Sequence, residues 1–426
     1  MAQNKRVVVK PQSPVKYDLI VIGGGPSGLM AAGTAALGGR RVLVLEKNSE
    51  LGEKLKLTGG GRCNITNATF DRREFLTKFG RAAEFLHSPF AQFGVQDTFD
   101  FFEARHLPLV TEARNRVFPK TQKATDVLRV LIKYISNSQV TVIKNNPVRK
   151  IRADKAGRQI LAVETSRGVY TAKNYLIATG GSSHPETGST GDGFAWLKAL
   201  GHSVKRPTPN IVPLKVRERW VKELAGTSLS FMKITFYVDD RKAFAVTGKI
   251  LFTHFGLSGP LILNSAHKVA DLLHEGRVTA KIDCYPDTDL GALEKRVLKV
   301  FDQNKNKSFK NVAALIAPPG LGAALLSFRL LPDDNVKVHS VSKNSRKLIV
   351  QRLKALPLTI TGLMGMDRAV VSDGGVPLAE VDTRTMKSKL FDNLYLTGDI
   401  LHINRPSGGY SLQLCWTTGF VAGQLK

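Results

Sequence analysis

Cysteine is scarce in this 426-residue chain. Cys63, Cys284 and Cys415 lie far apart, are odd in number, and form no C-x-x-C. A local dithiol is excluded and a disulfide framework is disfavoured, which fits a reducing, cytoplasmic setting. Long apolar runs are also missing. Stretches such as Leu19 to Ile22 and Val42 to Leu45 are strand-sized, far below the ~18–20 residues that span a bilayer, so no membrane partner is expected. The nine histidines do not gather with cysteines or acids at ligand spacing, so no metal site is expected. No tandem repeat or low-complexity tract occurs. Met1 to Lys16 carries Lys5, Arg6, Lys10 and Lys16 and no acid. Its apolar stretch is too short for a secretory signal, and it reads as a frayed basic tail.

Acids are the other shortage. Thirty-five Asp and Glu face 62 Lys and Arg, a net charge of +27. Such an excess can be a solvated surface. It is also the field that a polyanion requires, because each neutralised phosphate releases a counterion. The run 301–360 has ten Lys and Arg against three acids, or +7.

The clearest pattern is near the start. Tyr17 to Ile22 reads as a buried parallel strand, Gly28 to Leu37 as a small-residue helix, and Arg41 to Glu46 as a second buried strand. Together they make a β-α-β unit. Between strand and helix lies Gly23-Gly24-Gly25-Pro26-Ser27-Gly28, a G-x-G-x-x-G. Gly23 permits the tight turn, Gly25 lets a pyrophosphate approach backbone N–H groups, and Gly28 allows close helix packing. Glu46 ends the next strand, where a carboxylate can accept from ribose hydroxyls.

Two distant segments favour a flavin over a nicotinamide dinucleotide. Tyr175 to Gly181 is a strand ending in Thr-Gly-Gly, and Leu394 to Asp399 is a strand ending in Gly-Asp. Both resemble flavoprotein motifs that return to the cofactor. A helix after Gly408-Gly409-Tyr410 would point its positive end at the ring. Only one G-x-G-x-x-G is present, so NAD(P)H would dock transiently rather than in a domain of its own.

Further coarse structure follows. Residues 84–105 and 124–136 read as helices, and 140–143 as a strand. From about 197 to 354 alternation suggests an antiparallel sheet or barrel, with short helices near 293–302 and 311–326. The expected fold is α/β: a Rossmann-type FAD-binding domain over 1–195 and 355–426. It is split by a β-barrel-like insertion at 196–280 and 331–354 and a small helical domain at 281–330.

The Gly-rich segment Leu57-Thr-Gly-Gly-Gly-Arg-Cys-Asn-Ile-Thr-Asn67 exposes successive N–H groups beside a cation, which suits phosphate or flavin-edge contacts. With Arg116-Val-Phe-Pro119, Thr187 to Gly193, Leu251 to Pro260, Met386 to Lys389 and Ser407 to Tyr410, it resembles the BaiN/RdsA family of FAD-dependent oxidoreductases. The resemblance runs from Tyr17 to near the C-terminus. It implies FAD contacts at Gly23, Gly25, Pro26, Ser27, Gly28, Glu46, Lys47, Lys54, Gly60, Gly61, Arg62, Asn64 and Val148. Ala178, Thr179, Gly180, Gly398, Asp399, Gly408, Gly409, Tyr410 and Ser411 complete the set. This chain departs from the family pattern at Asp399, usually Glu, at Ser407 and Ser411, usually Thr and Asn, and at Cys415, usually Ala.

One branch of the family resembles ribosomal RNA dihydrouridine synthases, and others act on small molecules. Three readings therefore stand: reduction of a uridine in large-subunit ribosomal RNA, a small-molecule FAD oxidoreductase, or a non-catalytic flavin-containing RNA-binding protein. Cys63 is a candidate proton donor at uracil C5, or a small buried residue beneath the cofactor. His254 can line a substrate site or serve a turn. Arg116 can hold substrate or nicotinamide phosphate, or form an ion pair. Lys343, Arg346 and Lys347 can contact RNA, or simply face solvent.

Overall fold

The computed structural model describes residues 17–136 and 139–426, so the expected basic tail lies outside the described residues. The chain divides into two compact units, Met1–Thr208 with Val371–Lys426, and Pro209–Val370.

The first unit is built on a five-stranded parallel sheet. Its order is Leu394–Leu396, Ala172–Ile177, Tyr17–Ile22, Val42–Leu45, Val140–Ile143. The central strands are continuous apolar runs because both faces are covered; all of Val42–Leu45 is buried. Helix Pro26–Leu37 starts with proline, which needs no hydrogen-bond partner in the first turn. It packs against the C-terminal helix Tyr410–Gly423 and against Ala124–Ile135. The helical stretch expected over 84–105 forms as two helices, Ala83–Gln92 and Val95–Glu103. Phe93 is extended, and the carboxylate of Asp97 accepts from Gly94 N at 2.7 Å, starting the second helix.

The second unit has six strands whose ladder closes on itself. The order is Leu214–Val216, Gly256–Ser258, Arg241–Thr253, Ser228–Val238, Val278–Asp283, Leu356–Leu363, and Leu214–Val216 pairs with both the second and the last. Helices Leu290–Gln303, Phe309–Ile316, Leu321–Ser327 and Lys343–Lys354 accompany it. Val297, Phe309 and Leu353 share one buried cluster with Ile234, Phe236 and Ile282 of the strands. The helices of 281–330 therefore have no core of their own. The helix expected over 311–326 is broken at Pro318-Pro319-Gly320. Leu356–Leu363, expected in the nucleotide domain, belongs to the closed ladder, which places the division after Val370 rather than at 355. Among the described residues no helix is long and apolar enough to cross a membrane.

A buried imidazole ties two segments of the first unit. His202 Nδ1 lies 2.6 Å from Glu380 Oε2, and Nε2 lies 3.0 Å from Ser388 Oγ. The Ser388 hydroxyl already accepts from Leu390 N and Phe391 N. It can therefore donate to Nε2, which leaves Nδ1–H to donate to Glu380. Burial holds His202 below the usual histidine range, with Glu380 opposing. The fold thus prefers the neutral ring. As pH falls through about 6.5 the unfolded chain takes a proton that the folded ring refuses, and stability is lost. His202→Gln should lower stability by about 1–3 kcal/mol and flatten this acid-side slope. Urea unfolding at several pH values checks it; an unchanged slope would place the acid sensitivity elsewhere.

Candidate dinucleotide-binding site

The site forms where the central strand gives way to the first helix. Gly23 leaves the strand at φ +107, and a Cβ there would stand 2.5 Å from the Ala178 carbonyl oxygen. A Cβ on Gly28 would stand 2.0 Å from the Gly23 oxygen. Gly25 differs: its φ is −84 and an added Cβ would meet nothing within 4 Å. Two glycines serve close backbone packing, and the third faces open space at a helix N-terminus, with Pro26 and Ser27 in the first turn behind it. Glu46 is aimed at this loop. Its Oε2 accepts from Gly24 N at 2.7 Å and its Oε1 from Asn48 N at 2.9 Å. Burial raises its pKa, and these N–H groups oppose the rise.

Thr58–Gly61 forms a tight turn in which Gly59, Gly60 and Gly61 have φ of 59, 67 and 85. An added Cβ on Gly60 or Gly61 would also meet nothing within 4 Å. Arg62, expected to contact phosphate or flavin, is engaged otherwise. It donates to Glu112 Oε1 at 2.9 Å and Gln122 Oε1 at 2.8 Å, and lies 3.9 Å from the Phe118 ring centre. Arg116 shares the same acid, 3.7 Å from Glu112 Oε2, which is the ion-pair reading of that residue. Asn64 Oδ1 accepts from Val117 N at 3.2 Å.

Cys63, the candidate acid, is fully buried in the core cluster with Leu55 and Ile65. Burial pushes its thiol up to about 12, against a hydrogen bond from Thr58. The side chain thus occupies a packing position in the core.

The chain returns twice. Ala178 N donates to Ile22 O at 2.9 Å, and Gly180 follows at φ +72. The hydroxyls of Thr179 and Thr397, at the ends of adjacent strands, are buried without a partner. Gly398 has φ +68, and a Cβ there would lie 2.9 Å from Ser27 Oγ. Asp399 pairs with the buried Arg405 and lies 3.8 Å from Lys54 Nζ. Lys54 Nζ donates to Ser183 Oγ at 2.5 Å. Burial holds Lys54 below the usual lysine range, with Asp399 opposing. Lys47 donates to Thr190 and Asp192 at 2.5 and 2.8 Å. Arg405 went unread in the sequence, where only its place before Ser407-Gly-Gly-Tyr410 marks it. It donates to Ser411 Oγ at 3.1 Å and Ile403 O at 2.6 Å.

The last helix opens after Gly408 and Gly409, at φ 121 and 101, and Tyr410 packs on Phe75 with ring centres 4.9 Å apart. Val148 starts an outer strand, paired with Thr165. His254 is exposed in a turn of the second unit against Phe255. Lys343 and Lys347 are exposed on helix Lys343–Lys354, while Arg346 donates to Val341 O at 2.7 Å.

The residues fit a dinucleotide: an open glycine at a helix N-terminus and a carboxylate on the next strand. They define a Rossmann-type oxidoreductase of the flavoprotein class. The chain belongs to the HI0933-like family, whose model, described as "HI0933-like protein Rossmann domain", matches residues 17–425. It is 29% identical over 408 residues to the "3-dehydro-bile acid delta(4,6)-reductase" of Clostridium scindens, covering 95% of this chain and 97% of that one. It is 25% identical over 409 residues to the "Ribosomal RNA dihydrouridine synthase" of Escherichia coli, covering 96% and 98%. Among solved structures, a flavocytochrome c3 fumarate reductase shares the fold at TM-score 0.51 and 15% identity, covering 96% of this chain and 77% of that one.

The division of labour among the glycines is testable. Gly25→Val should keep the thermal stability of the cofactor-free protein within about 0.5 kcal/mol and abolish flavin retention. Gly28→Ala should destabilise the fold itself by about 1–3 kcal/mol. Melting curves and visible absorbance read both; full flavin occupancy in Gly25→Val would remove the assignment of the cradle.

Proposed function

We propose that this protein is an FAD-dependent reductase that converts a uridine of large-subunit ribosomal RNA to dihydrouridine, with NAD(P)H as transient electron source. The observation that carries the RNA substrate is the charge of +27, which a metabolite enzyme has little physical use for and a phosphate backbone does. The name of the Escherichia coli relative supports the same reading. A second reading, reduction of a small unsaturated ring compound, is favoured by the name of the Clostridium scindens relative.

FAD, when bound and reduced by NAD(P)H, would supply the hydride that saturates a carbon–carbon double bond, the second hydrogen entering as a proton from solvent. This chain's residues do the holding. Gly25, Gly60 and Gly61 leave room for the cofactor and offer N–H groups to its phosphates. Glu46 accepts from ribose hydroxyls. Arg405 and Lys54 hold the Asp399 carboxylate in place beside Gly398. Lys343 and Lys347 neutralise RNA phosphates. The target uridine must leave its stack, at a cost of a few kcal/mol, which favours a loop or partly assembled RNA.

Mass spectrometry of ribosomal RNA nucleosides from cells with and without the gene should show one uridine that gains two hydrogens only when the gene is present. Identical profiles would move the assignment to the small-molecule reading. Cys63→Ala should retain most of the turnover, as a packing residue does; loss of turnover with flavin retained would restore the thiol as proton donor. Lys343→Gln with Lys347→Gln should lower the log–log salt slope of RNA binding by roughly 1.4–1.8, and an unchanged slope would place the contacts elsewhere.

A further inference from the structure

The strand Ser228–Val238 is interrupted by a bulge. Leu229 pairs with Ile250 and Met232 with Gly248, so Ser230 and Phe231 together stand opposite Lys249. Leu229 and Met232 turn inward and are buried. Phe231 is 74% exposed and its φ is +59. A bulky side chain rarely adopts that region, and strain of this kind persists where the surroundings hold it. A regular strand would not place two consecutive residues outside; the bulge re-aims the ring into solvent. Phe70, another exposed phenylalanine, lies against Phe99 with ring centres 5.3 Å apart.

The surroundings of Phe231 are polar and cationic. Ser230, Lys233 and Lys249 are exposed on the same outer face of the ladder. The acid in register with Lys233 is Asp283, which is held by Lys354 at 2.7 Å. A protein partner would call for a broader apolar patch around the ring. One bare ring between lysines matches a different ligand: an unpaired base with its phosphates on either side.

We propose that Phe231 is a stacking platform for an unpaired base of RNA, with Lys233 and Lys249 holding the flanking phosphates. This rests on the RNA reading above and adds a site for it within the closed ladder of the second unit. Stacking is indifferent to base identity, so the platform grips single-stranded RNA without specifying its sequence.

The test is fluorescence anisotropy of a labelled short oligouridylate with the full flavin-loaded protein. Phe231→Ala should weaken binding roughly 5- to 100-fold, leave the salt slope unchanged, and leave flavin content and melting temperature at or above wild type. Phe231→Trp should restore affinity. Lys233→Gln with Lys249→Gln should instead lower the salt slope by about 1.4. Wild-type affinity in Phe231→Ala would overturn the platform and leave the ring to a protein partner. An equal loss on duplex RNA would also overturn it, because paired bases cannot stack on the ring. Failure of the wild-type protein to bind any oligonucleotide would overturn the RNA reading itself, and the platform with it.

Discussion

The first unit depends on a backbone contact too close for any side-chain atom. The Gly23 carbonyl oxygen stands where a Cβ on Gly28 would be only 2.0 Å away. The same turn meets Ala178 from the neighbouring strand, where a Cβ on Gly23 would be 2.5 Å from its oxygen. On its other side, a Cβ on Gly419 of the last helix would lie 2.4 Å from the Ser27 oxygen. Two distant segments therefore converge on one turn. The contact sets the first helix with its N-terminus at the carboxyl end of the central strand. The strand order reverses there, with Val42–Leu45 on one side and Ala172–Ile177 on the other. An open α/β sheet binds its ligand at such a switch point.

The polar residues of the site follow from that convergence. Once Gly398 sits against Ser27, Asp399 is brought beside Lys54, although the two are distant in sequence. Arg405 completes the group by reaching back to Asp399 and forward to Ser411. The half-buried Asp399 carboxylate thus lies between two cations, Lys54 and Arg405. The second unit contributes a different kind of chemistry: exposed lysines on a helix and on the outer face of the ladder, with one solvent-facing ring among them.

Much of this was legible in the sequence because the signals were local. The glycine spacing, the apolar strands on either side and the position of Glu46 marked the β-α-β unit within thirty residues. The motifs at Thr179 and Gly398 placed the two returns of the chain. What could not be read was pairing at a distance. Arg62 looked like a free cation beside three glycines, yet Glu112 and Gln122 from a later segment take its guanidinium. For Cys63 the sequence leaves both a proton donor and a small buried residue open, and its left-handed backbone and place in the core cluster agree with the buried one. Leu356–Leu363 was placed with the nucleotide domain because a boundary was set by texture, whereas its pairing with Leu214–Val216 and Val278–Asp283 decides otherwise. The breaks at Gly94 and at Pro318-Pro319 had plain local signals.

FAD is the cofactor expected at the open glycines Gly25, Gly60 and Gly61. The direct measurement is chromatography of the cofactor released when purified protein is denatured. The protein should be yellow and release FAD in stoichiometric amount. Release of FMN, or a colourless protein that takes up no added FAD, would contradict it.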